Sequence, residues 1–522
     1  MTAGTLQAAI RGLTVAGACA ALVGLSATTD RAVTLGATRP GPAAARVALD
    51  TNALACPGPE LAGVPGVADI ATRPLAVADS APATVSRAEG VRPAGGPRLD
   101  LGPLGDPEEG AGQEDAAQVG GAQRDGASSD AATGDVAWRA RGDQALLATA
   151  SGSRAPGLIA AQESAISDTA SARVGIRGLI GAACADPSAD AWLIAGGGDT
   201  GRQERLILVN PGANPAVVDL ALHGRGGAIE APAGRGVSVP AHGRTSVLLD
   251  GLARQESAPA VHVTSRAGLV VATLVDTWVE GVTSRGADAT GPTAPAALRN
   301  VIPAVSGPGP ARVRIVATSG KDTIAQVRLL TRTGRRPLPD GAGVQRVVGE
   351  ASADVRLPEL AKDVVAIEVT SDQPAIAAAM TTREDDDGTT DFAWMPAAPP
   401  LPTAGGTTLP VRGPSSPDTE RTLCLVATGG RAEADVTLVA PDGSTETQRI
   451  AVKPDTSTTL TLGSATAVWV RRANGGGALR AAVLTTTDLP AGGSRRAPAL
   501  TSRPLVPARF AARELPVRQD RP

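Results

Sequence analysis

The sequence predicts an all-β protein in which tandem immunoglobulin-like β-sandwich domains follow an N-terminal membrane segment and an irregular β domain. The first observation is a weak repeat of about 100 residues, the usual size of such a sandwich, whose copies begin at Arg205, Arg312 and Arg421. The second is that short apolar runs alternate with turn residues throughout the repeats, as they do between short strands. The third is Asp442-Gly443 between two such runs, a specific signal for a β-hairpin.

The N-terminus carries a targeting segment. Arg11 is the only charged residue among the first 29, and the stretch from Gly12 to Ala27 is apolar or small. Residues 1–29 are therefore predicted to be a signal peptide or a membrane anchor, with cleavage left open. Either form places the protein outside the cytoplasm, secreted or anchored to the plasma membrane. A buried N-terminal helix is the weaker alternative.

The rest of the chain divides by composition into domains and a tail. Residues 45–200 are interpreted as an irregular β domain. Its stretch 105–135 has almost no large apolar residue and is predicted to be a disordered insertion. The three repeats are predicted to be β-sandwiches followed by a short tail. Their predicted bounds are 201–305, 311–400 and 418–507, with the tail at 508–522.

Composition limits both the cores and the partners. The chain has no Tyr, 2 Phe and 5 Trp, so Val, Leu, Ile and Ala must fill cores to which aromatic side chains usually contribute. The formal net charge is −3, from 52 acidic and 49 basic residues. Because no basic block is interleaved with stacking aromatics, nothing in the sequence favours nucleic-acid binding.

Cysteine usage agrees with export. Cys19 lies in the targeting segment and Cys424 lies within a predicted strand. Cys56 and Cys184 each follow an apolar or alanine-rich run, and in an oxidising compartment they are predicted to form a disulfide that closes a long loop. Two unpaired buried thiols are the alternative. Cys424 is expected to be a free buried thiol.

No residue pattern predicts a catalytic, cofactor-binding or metal site. His223, His242 and His262 have spacings that match no short metal motif, and we interpret them as structural. The glycine run 196–198 lacks the Lys-Ser/Thr of a phosphate loop and is interpreted as a turn.

The densest acidic cluster is Glu384–Asp387, which Asp391 extends. It misses the register of a calcium-binding loop because Arg383 occupies the first ligand position. We therefore interpret the cluster as the solvated tip of a hairpin rather than a metal site.

Three tryptophans lie near the ends of predicted strands, at positions 192, 278 and 394. If they are exposed they can stack on sugar rings, and if they are buried they belong to the core. We expect core positions.

Five short segments occur in an order that resembles a known family. They are Cys56-Pro-Gly-Pro, Cys184-x-x-Pro with Trp192 and a glycine run, Leu206-x-Leu-x-Asn210-Pro, Val239-Pro-x-x-x-Arg-Thr-Ser and Val263-Thr-Ser. In this order they resemble an actinobacterial family of exported, membrane-anchored proteins of unknown function, often encoded beside a large membrane glycosyltransferase. The resemblance covers residues 46–510. It implies a site of action in the cell envelope and a link to envelope glycan assembly, and it supplies no catalytic residues.

Together these observations predict a non-enzymatic, extracytoplasmic binding or scaffold protein of the cell envelope, accessory to envelope glycan assembly. The expected partner is an envelope glycan or a membrane glycosyltransferase. No cofactor is expected, and the N-terminal segment provides the membrane contact. A glycan-active hydrolase and a surface adhesin are the alternatives. A cleft with two carboxyl groups about 5 to 10 Å apart would favour the hydrolase.

Overall fold

The computed structural model describes residues 45–61, 74–90, 95–105, 127–131, 133–140, 142–167, 175–305, 309–360, 364–410, 419–491 and 495–514. Nearly every regular element in these ranges is a β-strand, which confirms the all-β prediction. The predicted membrane segment, residues 1–29, lies outside them. No helix in the described ranges is long and apolar enough to cross a membrane. Most of the predicted insertion also lies outside them, although the strand Ala127–Ser129 falls inside its predicted bounds.

The contacts within the chain separate two units. The smaller unit consists of residues 1–47 and 512–522. Its described residues lie in strands β1 (Ala45–Ala48) and β36 (Ala511–Glu514), which pair with each other. The larger unit, residues 48–511, contains all the other elements and is described below.

The larger unit contains four β-sandwiches. The first has strands β2 (Thr51–Cys56), β3 (Leu75–Asp79), β4 (Arg98–Pro103), β5 (Ala127–Ser129), β6 (Val136–Arg139), β7 (Leu146–Ser151), β8 (Ile159–Ile166) and β9 (Gly178–Ala183), with helix α1 (Ala83–Ala88) and a 3-10 turn at Gly152–Arg154. The second has β10 (Asp190–Ile194), β11 (Arg202–Asn210), β12 (Ala216–Gly224), β13 (Gly227–Ile229), β14 (Val237–Val239), β15 (Gly243–Leu248), β16 (Ala260–Ala267), β17 (Val271–Glu280) and β18 (Thr283–Thr290), with 3-10 turns at Pro232–Gly234 and Leu249–Gly251.

The third sandwich has β19 (Ala297–Ile302), β20 (Ala311–Ala317), β21 (Thr323–Thr331), β22 (Arg335–Pro337), β23 (Val344–Val347), β24 (Ser352–Leu357), β25 (Val364–Glu384) and β26 (Thr390–Pro396), with a 3-10 turn at Pro339–Gly341. The fourth has β27 (Ala404–Thr408), β28 (Glu420–Thr428), β29 (Ala432–Val439), β30 (Thr445–Val452), β31 (Thr456–Thr461), β32 (Ala467–Asn474), β33 (Ala478–Pro490), β34 (Arg496–Pro504) and β35 (Val506–Pro507). The predicted hairpin at Asp442-Gly443 joins β29 to β30, and Gly443 adopts a φ of 80°.

All four sandwiches share one strand order. The first has the sheets β2-β7-β4-β5 and β6-β3-β8-β9, and the second has β10-β16-β12-β13 and β15-β11-β17-β18. The fourth has β30-β29-β32-β27-β35 and β31-β28-β33-β34. In each case the first two strands lie in different sheets. This differs from the predicted immunoglobulin order, in which the first two strands pair, because the pattern of one strand does not reveal which sheet it joins.

The third sandwich repeats this order with one strand, β25, in the place of two, because β25 runs through both of its sheets. The N-terminal half of β25 pairs with β19 and β21, and its C-terminal half pairs with β20 and β26. Pro374 lies between the two halves. Proline has no backbone N–H to donate, and at this position no hydrogen bond between strands is lost. Strand β25 is therefore one long strand shared by both sheets.

The first sandwich corrects the prediction of an irregular domain at 45–200. Its strands follow the same order as the repeats, but alanine is the commonest residue of its core, with Ala76, Ala148 and Ala160 among them. Alanine is depleted in strands and differs little in hydrophobicity from small polar residues. The sequence pattern therefore does not reveal that this region is a further sandwich of the same kind. The boundary also moves, because β10 pairs with β16 and belongs to the second sandwich.

The last long strand of each sandwich lies at a sheet edge, and these four strands meet at one centre. We name β9, β18, β26 and β34 the closing strands. Strand β9 contacts β18, β18 contacts β26, β26 contacts β34, and β34 contacts β9. The four sandwiches therefore close into a ring. The repeats predicted tandem sandwiches but not this closure.

The contacts between neighbouring sandwiches include apolar clusters, which contain most of the large aromatic side chains. Phe392 and Trp394 of the third sandwich pack into the core of the second. Trp469 and Phe510 pack with Ile159 where the fourth sandwich meets the first. The apolar area that each sandwich buries against the next therefore supplements its own small core.

A disulfide joins the two sheets of the first sandwich. Cys56, on β2, is bonded to Cys184, which directly follows β9. Both side chains are buried. The predicted pairing is confirmed, and Cys424 is a free buried thiol as expected.

Removing this disulfide should lower the free energy of unfolding by about 5 kcal/mol, because it closes a long loop in the unfolded chain. Cys56 and Cys184 are 128 residues apart in sequence. Denaturant midpoints of the wild type and of the double variant Cys56→Ala/Cys184→Ala measure the loss. Cys424→Ala is the matched control, and it should still respond to reductant while the double variant does not. Equal midpoints for double variant and wild type would show that the disulfide does not constrain the fold.

Candidate functional site

The centre of the ring contains a buried carboxylate that contacts all four sandwiches. Asp391, on β26 of the third sandwich, is 1% exposed. Its Oδ2 accepts N–H bonds from Leu179 of the first sandwich at 3.1 Å and from Leu500 of the fourth at 2.9 Å. Its Oδ1 accepts the N–H of Ala287 of the second sandwich at 3.2 Å. One side chain thus binds the closing strand of every other sandwich.

A second buried carboxylate reinforces the centre. Asp288, on β18, accepts the N–H of Trp394 at 2.7 Å and the hydroxyl of Thr501 at 2.9 Å. The strands approach closely enough to require glycine. A Cβ on Gly286 would lie 2.5 Å from Oδ1 of Asp391, and one on Gly178 would lie 2.8 Å from it.

Burial controls the protonation of these acids. It raises the pKa of Asp391 to about 7, although the backbone N–H donors favour the charged form and limit the rise. Burial also raises the pKa of Asp288 well above its ordinary value. Such values are typical of catalytic acids, but both side chains are enclosed and hydrogen-bonded to neighbouring strands.

Another charged cluster lies between the second and third sandwiches. The guanidinium of Arg202 binds Asp276 at 2.5 Å, and both side chains are buried. The predicted glycine turn closes over them, with the N–H of Gly196 donating to Asp276 at 3.0 Å and that of Gly197 donating to Glu204 at 2.7 Å. Burial, and then the charge of Asp276, raise the pKa of Glu204 to about 9. A neutral acid beside a carboxylate resembles a hydrolytic pair, yet it lies inside an interface.

An arginine of the third sandwich binds the second sandwich across the same interface. Arg314 is fully buried and donates to the backbone carbonyls of Ala195 at 3.1 Å, Pro259 at 3.0 Å and Ser257 at 3.2 Å. Its charge is balanced by Asp354, 2.8 Å away. These groups hold two sandwiches together.

Another enclosed acid lies where the first sandwich meets the second. Glu60 accepts hydrogen bonds from Gln162 and from the hydroxyl of Ser164, the latter at 2.8 Å. Arg244 of the second sandwich donates to the carbonyls of Pro57 and Pro59 beside it. Burial raises the pKa of Glu60 to about 7.

The structure brings two of the three histidines together on the outer face of the second sandwich. The ring of His262 stacks on Trp192, with centroids 4.1 Å apart and planes 8° apart. His223 contacts the same indole at 4.9 Å and 44°. His242 lies elsewhere, in the turn before β15, with a φ of 47°. Among the described residues no group of His, Cys, Asp and Glu is arranged to hold a metal ion.

The tryptophan predictions have a mixed outcome. Trp394 is buried, and its Nε1 donates to Asp276 at 2.8 Å. Trp192 and Trp278 are half-buried. Sequence reasoning missed the grouping around Trp192 because its members lie on three strands that are far apart in sequence. Their only local signal is that they alternate with core residues along those strands.

The acidic cluster forms the β25–β26 hairpin, as predicted, but Asp391 does not belong to its exposed tip. Asp385 caps the turn by accepting the N–H groups of Asp387 and Thr389. Asp391 lies on the following strand and points into the ring. The correction has a physical cause, because three backbone N–H donors from other sandwiches compensate for the desolvation of its charge.

The described residues also line a cavity of about 210 Å³ between the first and fourth sandwiches. Leu54, Leu158 and Val506 are among its lining residues, and Asp186 pairs with Arg509 at 3.0 Å on its border. It is smaller than the roughly 300 to 1,000 Å³ of ordinary ligand pockets.

Comparisons with known proteins identify a family but no activity. A family model described as "Family of unknown function (DUF5719)" matches residues 127–463, more than half of the chain. No curated protein matches the sequence.

Among solved structures, an allantoicase shares 9% identity, with 40% of this chain and 77% of that chain covered and a TM-score of 0.11. A Bacteroides uniformis beta-glucuronidase shares 13% identity over 45% of this chain and 26% of its own length, with a TM-score of 0.11. A Ca2+-stabilised adhesin with which an Antarctic bacterium binds ice shares 12% identity over 88% of this chain and 100% of its own, with a TM-score of 0.10. At these TM-scores the similarities carry no argument.

Replacing Asp391 by Ala should destabilise the ring by several kcal/mol, since each of the three orphaned N–H donors costs about 1–3 kcal/mol. Asp391→Asn should cost less, because one oxygen remains as an acceptor while the amide N–H opposes the other donors. Denaturant midpoints measure both losses. The control is Asp387→Asn in the same hairpin, where the side chain is 68% exposed and pairs with exposed Arg495. An Asp391→Ala midpoint equal to that of the control would contradict the role of this carboxylate.

The free energy of unfolding should fall as the pH rises from about 4 to about 7. The pKa values of Asp391 and Glu60 rise from ordinary values of 3.8 and 4.5 to about 7 in the folded protein. The folded state therefore binds more protons in this range, and the stability that this supplies is lost as each acid ionises. Urea midpoints across the range test the sign. Glu60→Gln, which cannot titrate, should show a shallower decline, and a rise in stability through the range would contradict the assignment.

Proposed function

The chain belongs to this family of unknown function, and on that premise we propose that it is a non-enzymatic binding or scaffold protein of the cell envelope. The observation that carries the proposal is the closed ring of four sandwiches. Its buried acids and arginines bind neighbouring strands, so the groups that resemble catalytic residues are occupied in holding the ring together. A rigid body of this kind offers its outer sheet faces and loops to partners with little loss of conformational entropy on binding.

The place of action that we propose is outside the cytoplasm. A disulfide persists in oxidising compartments and is rare in the cytoplasm, and the bond between Cys56 and Cys184 is buried within the first sandwich. The apolar stretch from Gly12 to Ala27 supports export from the sequence alone. The protein would be secreted or anchored to the plasma membrane.

The proposed role is accessory to envelope glycan assembly, with an envelope glycan or a membrane glycosyltransferase as the partner. This step rests on the resemblance to an actinobacterial family often encoded beside such an enzyme. A hydrolase is the less favoured function, because the acid pair Glu204 and Asp276 is buried between two sandwiches and bound by Arg202.

Crosslinking of the tagged full-length protein in its native membrane, followed by mass spectrometry, tests the proposal. We expect capture of a membrane glycosyltransferase or of another polytopic enzyme of envelope glycan synthesis. Capture should be lost in Asp391→Ala, which opens the ring, and retained in Asp387→Asn. Failure to enrich any envelope protein or glycan over the untagged strain would overturn the proposal.

A further inference from the structure

We infer that the cavity between the first and fourth sandwiches binds the end of an aliphatic hydrocarbon chain, of the kind that the lipids of a cell envelope carry. The inference rests on the proposed envelope function for the source of the chain. Beyond that function it names a site and a ligand class. The size of the cavity, its apolar lining and the pairing of its polar side chains support it.

The cavity has the size of a small apolar group. Its volume is about 210 Å³, whereas an apolar cavity of about 150 Å³ in another protein stays dry and binds benzene. Ordinary pockets for drug-sized ligands begin at roughly 300 Å³. The cavity therefore fits the end of a chain rather than a whole lipid.

Both sandwiches contribute apolar side chains to the lining. Leu54, Leu158 and Ile159 come from the first sandwich, and Pro504 and Val506 come from the fourth. A hydrocarbon group that enters exchanges contact with water for contact with these side chains. This transfer is favourable and grows with the apolar area that is removed from water.

The polar side chains of the lining already have partners within the protein. Nδ2 of Asn52 donates to the carbonyl of Ala155 at 3.1 Å, and its Oδ1 accepts the N–H of Ala53 at 3.0 Å. The hydroxyl of Thr407 donates to the carbonyl of Thr408 at 3.1 Å. A buried water needs two to four polar partners. The cavity therefore favours an apolar occupant over water or a polar ligand.

The cavity opens to solvent at an ion pair. Asp186 and Arg509 line it and lie 3.0 Å apart, and their side chains are 41% and 57% exposed. Val506 beside them is 39% exposed, while Leu158 and Cys184 of the same lining are buried. The pair has no net charge, so this opening selects neither an anionic nor a cationic headgroup. The chain rather than the headgroup decides what binds.

The strands around the cavity are fixed on both sides. Cys184 is bonded to Cys56 across the first sandwich. In the fourth sandwich, Gly406 on β27 pairs with Val506 on β35. A cavity with such walls cannot collapse when it is empty, and a preformed site loses less conformational entropy on binding.

The test titrates the full-length protein with n-hexyl, n-octyl and n-decyl β-glucopyranosides below their micelle concentrations, by isothermal titration calorimetry. Methyl β-glucopyranoside, which has the same headgroup and no chain, is the control ligand. We expect one saturable site whose affinity rises about fourfold for each added CH₂ until the cavity is full, and no binding of the methyl glycoside. Geranyl β-glucopyranoside has as many chain carbons as the decyl compound. Preference for the branched or for the straight chain then distinguishes an isoprenoid from an acyl source.

Ala183→Leu fills the cavity, because Ala183 is a half-buried residue of the lining. This variant should bind n-octyl glucoside about tenfold or more weakly, and its denaturant midpoint should not fall, since a filled cavity removes a void. Ala451→Leu is the matched control at an exposed strand alanine of the fourth sandwich, and it should bind like the wild type. Val506→Ser, at the exposed opening, should also weaken binding, and it decides the matter if Ala183→Leu does not fold.

Three results would overturn the inference. They are no saturable binding of n-octyl glucoside, equal affinities for the methyl and octyl glycosides, and wild-type affinity in both Ala183→Leu and Val506→Ser. If crosslinking still captured an envelope enzyme, the proposed function would stand without this site.

Discussion

The unpaired edges of the four closing strands determine how this protein is assembled. An edge strand presents backbone N–H groups that have no partner in their own sheet, and burying them unpaired is costly. Here the edges are brought to one centre, where Asp391 accepts an N–H from each of the other three closing strands. The carboxylate in turn depends on those donors, because they offset part of the cost of its burial. The strand edges and the carboxylate therefore stabilise each other, because each supplies hydrogen-bond partners that the other would lack when buried.

Much else in the structure follows from this closure. Both phenylalanines of the chain, and Trp394 and Trp469, lie in contacts between sandwiches, while the sandwich interiors are filled by Val, Leu, Ile and Ala. Arg314 reaches from the third sandwich to carbonyl groups of the second. A chain that is poor in aromatic residues thus places its largest side chains where they bind one sandwich to the next, which explains why residues 48–511 form a single unit.

The sequence predicted the local elements better than their arrangement. Strands, the Asp442-Gly443 hairpin and the Cys56–Cys184 bond follow from short-range patterns that the structure reproduces. The first sandwich was predicted to be irregular, because alanine in its core differs little in hydrophobicity from the residues that alternate with it along the strands. Asp391 was misjudged because its exposed neighbours in the hairpin dominate the local pattern, while its donors lie on strands about 100 or more residues away. The grouping of Trp192 with His223 and His262 was missed for the same reason, because only the pairing of β10, β16 and β12 brings these residues together.

Residue-resolved amide hydrogen exchange of the wild type and of Asp391→Ala tests the closed centre most directly. The amides of Leu179, Ala287 and Leu500 belong to three different sandwiches and share Asp391 as their acceptor. The account predicts that all three are strongly protected in the wild type and that all three lose protection together in the variant. Two results would contradict the account. One is that the substitution leaves the protection of all three amides unchanged, and the other is that the three amides exchange fast in the wild type. Either would show that the edges do not meet at this carboxylate.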